Sequence, residues 1–360
     1  MPPPEPPGSL PGMPRLRAQT GQVAAEYLGV LLLVAVIIAA LLGTQLHTHI
    51  AVEVERAICK IAQKGECDGP GVPSAQGEGE DTPGEPDRSV YDAECDNDLP
   101  GRLVRGEGDD PSGGDPEANQ VYDNLGQVFD YYADTFGRDS YDDAGAELIA
   151  SINFCENPGT PTRNAYWDGT QMKFGDGYAS SLDVTAHELT HAVTNLTADL
   201  EYQCQSGALN ESMSDIFASN VDSEDWEIGE DLPNGAIRDM ETPANGDPPQ
   251  PAHTDDYRNM PNDGNPLNDS GGVHYNSGIP NHAYYLMVQK IGRKPAEQIV
   301  YRALTEKLES DSGFEDFRTA SLEVARELWG EDSPEYENTN EAFAEVGLDG
   351  TWEAPEQEGC

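Results

Sequence analysis

The sequence is 360 residues long, which allows one large domain or two lobes together with additional segments. It contains 67 acidic and 20 basic residues, and its formal net charge is −47 at pH 7. A surface of this charge repels phosphate groups, so the composition argues against a nucleic-acid partner. Such acidity suits an extracellular or saline environment or bound divalent cations, although a solvated acidic surface accounts for it equally well.

Residues 1–21 form a proline-rich leader that is not expected to fold. Two arginines then precede an apolar run, residues 23–42, that only Glu26 interrupts. At about 1.5 Å per residue, a helix of this length spans roughly 30 Å, the thickness of a bilayer core. The run therefore predicts a single transmembrane helix with the remainder of the chain outside the cell. A cleaved secretory signal is the alternative, but the run is long for one and lacks its small-residue cleavage site.

The start of this run has a second feature. Gly21, Glu26 and Tyr27, followed by apolar residues, resemble the N-terminus of Flp-type prepilins. The resemblance implies cleavage after Gly21 by a prepilin peptidase, a pilin-like helix over residues 22–62 and pilus components as partners. A plain membrane anchor is the alternative. Residues 63–104 are rich in glycine, proline and acids and predict a flexible acidic stalk.

The region 105–200 contains signals for both helices and strands. Pro116 follows a typical N-cap residue and Gly137 can end a helix, so a helix is predicted between them. Residues 146–154 predict a strand, and residues 164–174 predict a hairpin with an Asp-Gly turn. An exposed strand edge beside a cleft could hold an extended peptide by main-chain hydrogen bonds.

The rest of the chain is predicted to be mainly helical. A central helix begins near Ser180, with Asp183 three residues later in a capping-box position, and a second helix begins near Ser206. Further helices are predicted at residues 281–291, 295–308, 314–329 and 334–346. The expected fold is therefore α+β, with a small β-containing N-terminal lobe and a helical C-terminal lobe over residues 201–350, followed by a tail at 351–360.

The central helix carries the motif His187-Glu188-Leu-Thr-His191. Histidines four residues apart project from one face of a helix and can bind a single Zn²⁺ through neutral nitrogens. Glu188 lies between them and can serve as a general base. A catalytic zinc uses a third protein ligand, and Glu211 on the next helix is the best candidate. Asp215, one turn later, can bond the second nitrogen of a ligating histidine.

These residues, with Ser-Gly-Ala-Leu-Asn-Glu-Ser-Met-Ser-Asp-Ile-Phe around Glu211, resemble the thermolysin family of zinc metallopeptidases from about residue 105 to residue 350. The resemblance implies a thermolysin-like, two-lobed zincin fold, zinc ligation by the two histidines and Glu211, and Asp215 as the partner of His187. It also implies that His274 donates a hydrogen bond to the oxyanion, with Asp269 orienting it and Tyr202 assisting.

The resemblance extends to residues that would contact the substrate. Asn164 and Ala165 match the strand that grips the peptide, and Arg238 matches the arginine that holds a substrate carbonyl. Val184 and Ile237 would help to line an apolar pocket. Cleavage before bulky hydrophobic residues is therefore implied.

A second acidic cluster contains Asp225, Glu227 and Glu230. Crowded hard oxygen ligands of this kind suit Ca²⁺. The family resemblance implies that they form a double calcium site with Asp183 and Asp222. The link between Asp222 and Asp225 is shorter than usual in the family, so a single calcium or a rearranged site stays open. A solvated acidic face is the alternative.

The six cysteines are compatible with disulfides outside the cytoplasm, but the sequence does not determine their pairing. Cys59 and Cys67 are close enough along the chain to close a small loop. A second hypothesis is a disulfide between Cys155 and Cys204 at the edge of the cleft.

Taken together, these features predict a zinc metalloendopeptidase that uses Zn²⁺ and Ca²⁺, acts on peptides or proteins, and is anchored to the bacterial cell membrane by a single helix with its catalytic domain outside. The alternative is a pilin-like surface or adhesion protein whose protease-like domain only binds partners. The complete set of catalytic groups favours the enzyme, because a binding domain needs none of them. The sequence leaves open whether the protein joins a pilus or is released at the stalk.

Overall fold

The computed structural model describes residues 83–112 and 114–360. The predicted leader, the pilin-like transmembrane helix, the first part of the stalk and the Cys59–Cys67 pair lie outside these residues. Among the helices that the structure describes, none is long and apolar enough to cross a membrane.

The N-terminal lobe contains a five-stranded sheet packed against a long helix. Its strands are β1 (Arg88–Asp92), β2 (Arg102–Gly106), β3 (Leu148–Ile152), β4 (Ala165–Trp167) and β5 (Met172–Phe174). Their spatial order is β2-β1-β3-β5-β4, and the β1–β3 and β3–β5 pairs are parallel, whereas the others are antiparallel. The predicted hairpin is the β4–β5 pair, and β4 forms one edge of the sheet.

The sheet begins earlier in the chain than the sequence predicted. β1 lies within residues 63–104, which were expected to be a stalk, and β2 begins there. Val90 is fully buried at the centre of β1, where this strand pairs in parallel with β3. A strand of five residues with a single buried apolar side chain gives little periodic signal, and the glycine and acidic residues around it favour a loop assignment.

The helix beside the sheet, α1 (Pro116–Phe136), has the predicted bounds. The Asp115 carboxylate accepts a hydrogen bond from the Glu117 amide at 2.9 Å and caps the helix. At the other end, Gly137 adopts a left-handed conformation, with φ of 70°, which ends the helix.

The next two helices in the sequence are α2 (Leu182–Asn195) and α3 (Cys204–Val221), and they pack against each other. Nearly all of their residues are buried. The N-cap of α2 is Ser181, not Ser180, so the predicted capping box is wrong. Asp183 instead accepts hydrogen bonds from the Gly229 amide and from Ser181, and thereby joins α2 to the loop that follows α3.

The C-terminal lobe is helical, as predicted. Its helices are α4 (Asp269–Asn276), α5 (Gly278–Ile291), α6 (Arg293–Glu306), α7 (Phe314–Trp329) and α8 (Pro334–Glu345). A short hairpin of β6 (Glu227–Ile228) and β7 (Arg238–Asp239) lies between α3 and α4. The short helix α4 was not predicted, because its first residues adopt left-handed conformations that no helical periodicity indicates.

Two disulfides lie within the described residues, Cys95–Cys155 and Cys204–Cys360. The hypothesis of a Cys155–Cys204 disulfide is therefore wrong. Cys155 follows β3, and its amide bonds the carbonyl of Asp96 in the loop after β1. Cys204 is instead the first residue of α3, where the last residues of the chain reach it.

Candidate active site

Three potential metal ligands converge between α2 and α3. The Nε2 atoms of His187 and His191 are 3.1 Å apart, and each lies 3.5 Å from an oxygen of Glu211. One ligand atom from each residue lies within 4.8 Å of the others, and no other such group occurs in the described part of the chain. The structure therefore brings together the three ligands that the sequence predicted.

Each histidine is oriented by a bond to its other ring nitrogen. His187 Nδ1 lies 2.9 Å from Asp215 Oδ1, and His191 Nδ1 lies 2.8 Å from Asn210 Oδ1 and 3.1 Å from Ser214 Oγ. A Nδ1–H that donates to these oxygens leaves the Nε2 lone pair directed at the point where the ligands meet.

Asn210 and Ser214 are functional positions that the sequence reasoning missed. Both lie on α3 next to Glu211 and Asp215, so four polar residues follow one face of a helix that is buried on nearly every side. Buried polar groups of this kind need specific partners. Each of the two directly precedes Glu211 or Asp215, and they lie four residues apart, which places all four on one face of the helix. This spacing is the signal that could have identified them.

The electrostatics of this group favour a bound cation. Glu211 and Asp215 are at most 1% exposed, and Glu211 Oε2 has no hydrogen-bond partner. Burial lowers the pKa of His187, but the hydrogen bond to Asp215 and the nearby carboxylate of Glu211 outweigh this and raise the pKa to about 10. Burial and the charge of His187 lower the pKa of His191 to about 4. Two imidazoles and an unpaired, buried carboxylate oxygen fit a zinc site with three protein ligands.

Glu188 lies in the same cleft and is only 6% exposed. Burial raises the pKa of its carboxyl to about 7, although the charge of His187 opposes this shift. A carboxyl with a pKa near neutrality can both accept and return a proton at physiological pH. Its position and its protonation behaviour suit the role of general base.

Tyr202 and His274 also line this cleft. The Tyr202 hydroxyl donates to Glu211 and lies 3.1 Å from His274 Nε2. Asp269 accepts from the ring of His274 at 2.6 Å and from its backbone amide at 2.8 Å. Both aromatic side chains are nearly half exposed, so a substrate can reach them.

The cleft has a volume of about 390 Å³ and contains all five residues that were predicted to contact the substrate. These residues are Asn164, Ala165, Val184, Ile237 and Arg238. Tyr166, Trp167, Tyr178 and Ile228 also line it and were not predicted. Because β4 is the outer strand of the sheet, one of its edges is free for main-chain bonds to a peptide.

Arg238 has a second role beside its place in the wall of the cleft. Its guanidinium donates two hydrogen bonds to Asp215 Oδ1, at 2.7 and 2.9 Å. The other oxygen of Asp215 accepts from Asn281 Nδ2 at 2.8 Å. Asp215 therefore connects Arg238, in the wall of the cleft, with His187, a potential metal ligand.

The predicted calcium residues are only partly gathered. Burial and the charge of Asp183 raise the pKa of Glu230 to about 8 and also raise the pKa of Asp222. Glu230 Oε2 is buried and has no hydrogen-bond partner. Asp225 and Glu227 are exposed, and the Asp225 carboxylate accepts from the Glu227 amide. Asp183 and Asp225 both act electrostatically on Asp222 and Glu230, so these four acids lie near one another, with an excess of negative charge that suits a cation. Their carboxylate oxygens do not converge as closely as the ligand atoms of His187, His191 and Glu211.

The fold and these groups define a metallopeptidase of the zincin class. Family models described as thermolysin metallopeptidase, catalytic domain, and thermolysin metallopeptidase, alpha-helical domain, match residues 87–195 and 198–348. The chain is 43% identical to the neutral protease NprE of Bacillus pumilus over 260 residues. This alignment covers 69% of this chain and 83% of NprE. The match to bacillolysin of Bacillus subtilis (strain 168) has the same identity and covers 48% of bacillolysin, so the chain spans about half the length of that relative.

A solved structure, the precursor of the metalloproteinase protealysin from Serratia proteamaculans, is similar with a TM-score of 0.67 and 35% identity over 74% of this chain and 89% of that one. The chain belongs to the thermolysin family of metallopeptidases. The predicted class of enzyme, a zinc metalloendopeptidase, is confirmed, as is the family's use of zinc and calcium. The match begins at residue 87, in agreement with β1 as the first strand, and the prepilin-like N-terminus lies outside it.

Proposed function

We propose that this protein cleaves peptides before bulky hydrophobic residues at the outer face of a bacterial cell membrane. The observation that carries the proposal is the convergence of His187, His191 and Glu211 in one cleft with Glu188 and His274. A domain that only bound partners would not need this combination of ligands, base and hydrogen-bond donor.

The residues of the cleft divide the reaction between them. Zinc, held by the two histidines and Glu211, would acidify the attacking water and polarise the scissile carbonyl. Glu188 accepts a proton from this water and returns it to the leaving amine, which its pKa of about 7 permits. His274 and Tyr202 donate hydrogen bonds to the oxygen on which negative charge develops. Asp269 holds the His274 ring and stabilises its protonated form.

Substrate binding would use the edge of β4. The Asn164 side chain and the Ala165 carbonyl hold the peptide in an extended conformation, as in strand addition. Val184 and Ile237 form an apolar wall in the cleft, and burial of a large aliphatic or aromatic side chain there is favourable. Arg238 binds a substrate carbonyl beyond the scissile bond.

The calcium residues would be Asp183, Asp222, Asp225, Glu227 and Glu230, bound to one or two ions. The electrostatic effect of Asp183 and Asp225 on Asp222 and Glu230 supports this assignment. Hard oxygen ligands and excess negative charge are the features that Ca²⁺ sites share.

An extracellular location is supported by the two disulfides, because such bonds persist in oxidising compartments. Anchoring through residues 22–62, with cleavage after Gly21 by a prepilin peptidase and contact with pilus components, rests on the sequence pattern alone. Mass spectrometry of the N-terminus and fractionation of cells test it. A soluble protein that retains its leader would contradict the anchor.

The enzymatic proposal is tested with the full chain in detergent, supplied with zinc and calcium. The substrates are three peptides that differ only in the residue after the scissile bond, which is Leu, Phe or Asp. The peptides with Leu and Phe should be cleaved, and the peptide with Asp should not. Glu188→Gln should abolish cleavage while zinc content stays unchanged, because the ligands are intact. Retained activity in this variant would refute the role of Glu188, and absence of wild-type activity would refute the proposed function.

A further inference from the structure

The segment that leads to His274 has an unusual backbone. Asp269, Ser270, Gly271 and Gly272 have φ values of 50°, 49°, 89° and 85°. Consecutive left-handed residues are disfavoured, above all where they are not glycine, and persist only when surrounding contacts hold them. His274 depends on this segment, because Asp269 bonds both its ring and its amide.

One side chain from the end of the chain supplies such contacts. Gln357 Nε2 donates to the carbonyl of Gly271 at 2.7 Å and to the carbonyl of Met260 at 2.5 Å. Its Oε1 accepts from the Tyr257 hydroxyl at 2.8 Å. The amide thereby uses both donors and its acceptor, and it joins the left-handed segment to residues 257–260.

The backbone around Gln357 is bound to the same region. The Asn262 amide donates to the carbonyl of Glu358 at 2.8 Å, and Asn262 Nδ2 donates to the carbonyl of Gly359 at 3.1 Å. Asn259 Nδ2 donates to the carbonyl of Glu356 at 2.9 Å. We refer to residues 356–360 as the strap. Hydrogen bonds from two asparagines thus fix its path independently of Gln357.

Tyr202 and His274, which are proposed to bind the oxyanion, are called here the oxyanion-binding pair. A covalent bond joins the strap to the segment that carries Tyr202. Cys360 forms a disulfide with Cys204, which begins α3 two residues after Tyr202. A Cβ atom built on Gly271 would lie 2.9 Å from Cys204 Sγ and 3.0 Å from Gln357 Nε2. The disulfide and the glutamine therefore both occupy the space where a side chain at position 271 would lie, so only glycine fits there.

From these contacts we infer that the strap positions Tyr202 and His274 for catalysis, with Gln357 as a positioning residue and the Cys204–Cys360 disulfide as its covalent closure. This role rests on the proposed peptidase function. The two zinc-binding histidines are held instead by Asp215, Asn210 and Ser214, and Glu211 lies on the buried helix α3. The strap therefore acts mainly on the oxyanion-binding pair, although Tyr202 also donates to Glu211. Contacts that matter mainly in the transition state affect kcat more than KM.

The test compares Gln357→Leu with Glu358→Leu in the full chain, under the conditions used for the peptidase assay. Glu358 is the neighbouring residue, its side chain is exposed, and only its backbone carbonyl contributes to the strap. We expect Gln357→Leu to lower kcat about tenfold, less than the about 10²–10³-fold loss on deleting an oxyanion donor, because the donors are displaced but not removed. KM and zinc content should stay within about twofold of wild type. Glu358→Leu should have the kcat, KM and zinc content of wild type.

Two further variants keep the inference testable if Gln357→Leu does not fold. Tyr257→Phe removes one hydrogen bond to Gln357 and adds no atom. It should therefore also lower kcat, but by less than Gln357→Leu does. The double variant Cys204→Ser/Cys360→Ser should also lower kcat without loss of zinc, and it avoids thiol reductants, which bind the metal. When this double change is combined with Gln357→Leu, the loss should be smaller than the product of the separate losses, since both act through the strap.

The outcomes separate the two proposals. A wild-type enzyme that is active, with Gln357→Leu and Tyr257→Phe at wild-type kcat, overturns the strap and leaves the peptidase intact. A fall in kcat accompanied by an equal loss of zinc also overturns it, because the effect would then be general damage. A wild-type protein without peptidase activity overturns the proposed function itself.

Discussion

Asp215 offers the sharpest test of how the metal site is held. Its side chain is fully buried, and it binds the zinc ligand His187, the guanidinium of Arg238 and the amide of Asn281. Asp215→Ala removes the hydrogen bonds to all three partners at once. The histidine then loses the group that fixes its tautomer, and the arginine loses the only carboxylate that it pairs with among the described residues.

Two separate magnitudes follow from these contacts. Loss of a group that orients a ligating histidine lowers metal affinity by about 10–100-fold. Removal of one partner of a buried ion pair costs about 3–5 kcal/mol, and the lower end applies here because the Arg238 side chain is 12% exposed and can recruit water. Asp215→Ala should therefore weaken zinc binding and destabilise the zinc-free protein by about 3 kcal/mol.

The double variant Asp215→Ala/Arg238→Leu separates these effects. With the arginine replaced by an apolar side chain, no buried charge is left unpaired, so much of the stability should return. Zinc affinity should remain low, because His187 still lacks its partner.

The assays are urea unfolding of the zinc-free protein and competition for zinc with a chelator of known affinity. Zinc-free protein is needed because bound metal itself stabilises the folded state. Wild-type zinc affinity in Asp215→Ala would refute the assigned role of this residue. Failure of Arg238→Leu to restore stability would show that the lost ion pair is not the cause of the destabilisation.

Three further predictions follow. His274→Ala should lower kcat by about 10²–10³-fold with little change in KM, and Tyr202→Phe should have a smaller effect of the same kind; equal losses in KM would contradict an oxyanion role. A calcium-selective chelator should lower the midpoint of thermal unfolding. Glu230→Gln should make this midpoint less dependent on calcium, because it removes one of the crowded carboxylates. A wild-type midpoint that does not change with calcium would argue against the site. The Arg88 guanidinium lowers the pKa of Glu107 to about 2. This pair therefore stabilises the fold at pH values above the usual pKa of the carboxyl, and its contribution is lost as the pH falls towards 2. The free energy of unfolding should differ less between pH 6 and pH 3 in Glu107→Gln than in wild type.

The parts of the fold that the sequence predicted well have strong local signals. The bounds of α1 follow from Asp115, Pro116 and Gly137, each of which acts on its immediate neighbours. The zinc ligands on α2 follow from the four-residue spacing of two histidines, which is fixed by helix geometry.

The features that were missed depend on contacts distant in sequence. β1 is stabilised by its pairing with β3, some sixty residues later, and Val90 alone gives no pattern. The partner of Cys204 is the residue at position 360, which no spacing rule indicates. The left-handed residues at the start of α4 likewise depend on the strap, and the helical period contains no information about them.

These two kinds of support meet in the active site. The zinc ligands and their partners lie on α2 and α3, which are buried on almost every side, so core packing fixes them. The side chains of Tyr202 and His274 are instead nearly half exposed, so core packing constrains them less. Their 3.1 Å approach therefore depends on hydrogen bonds and a disulfide from residues 356–360. A structure of this kind implies that metal binding and transition-state stabilisation can be altered independently, the first through Asp215 and the second through Gln357.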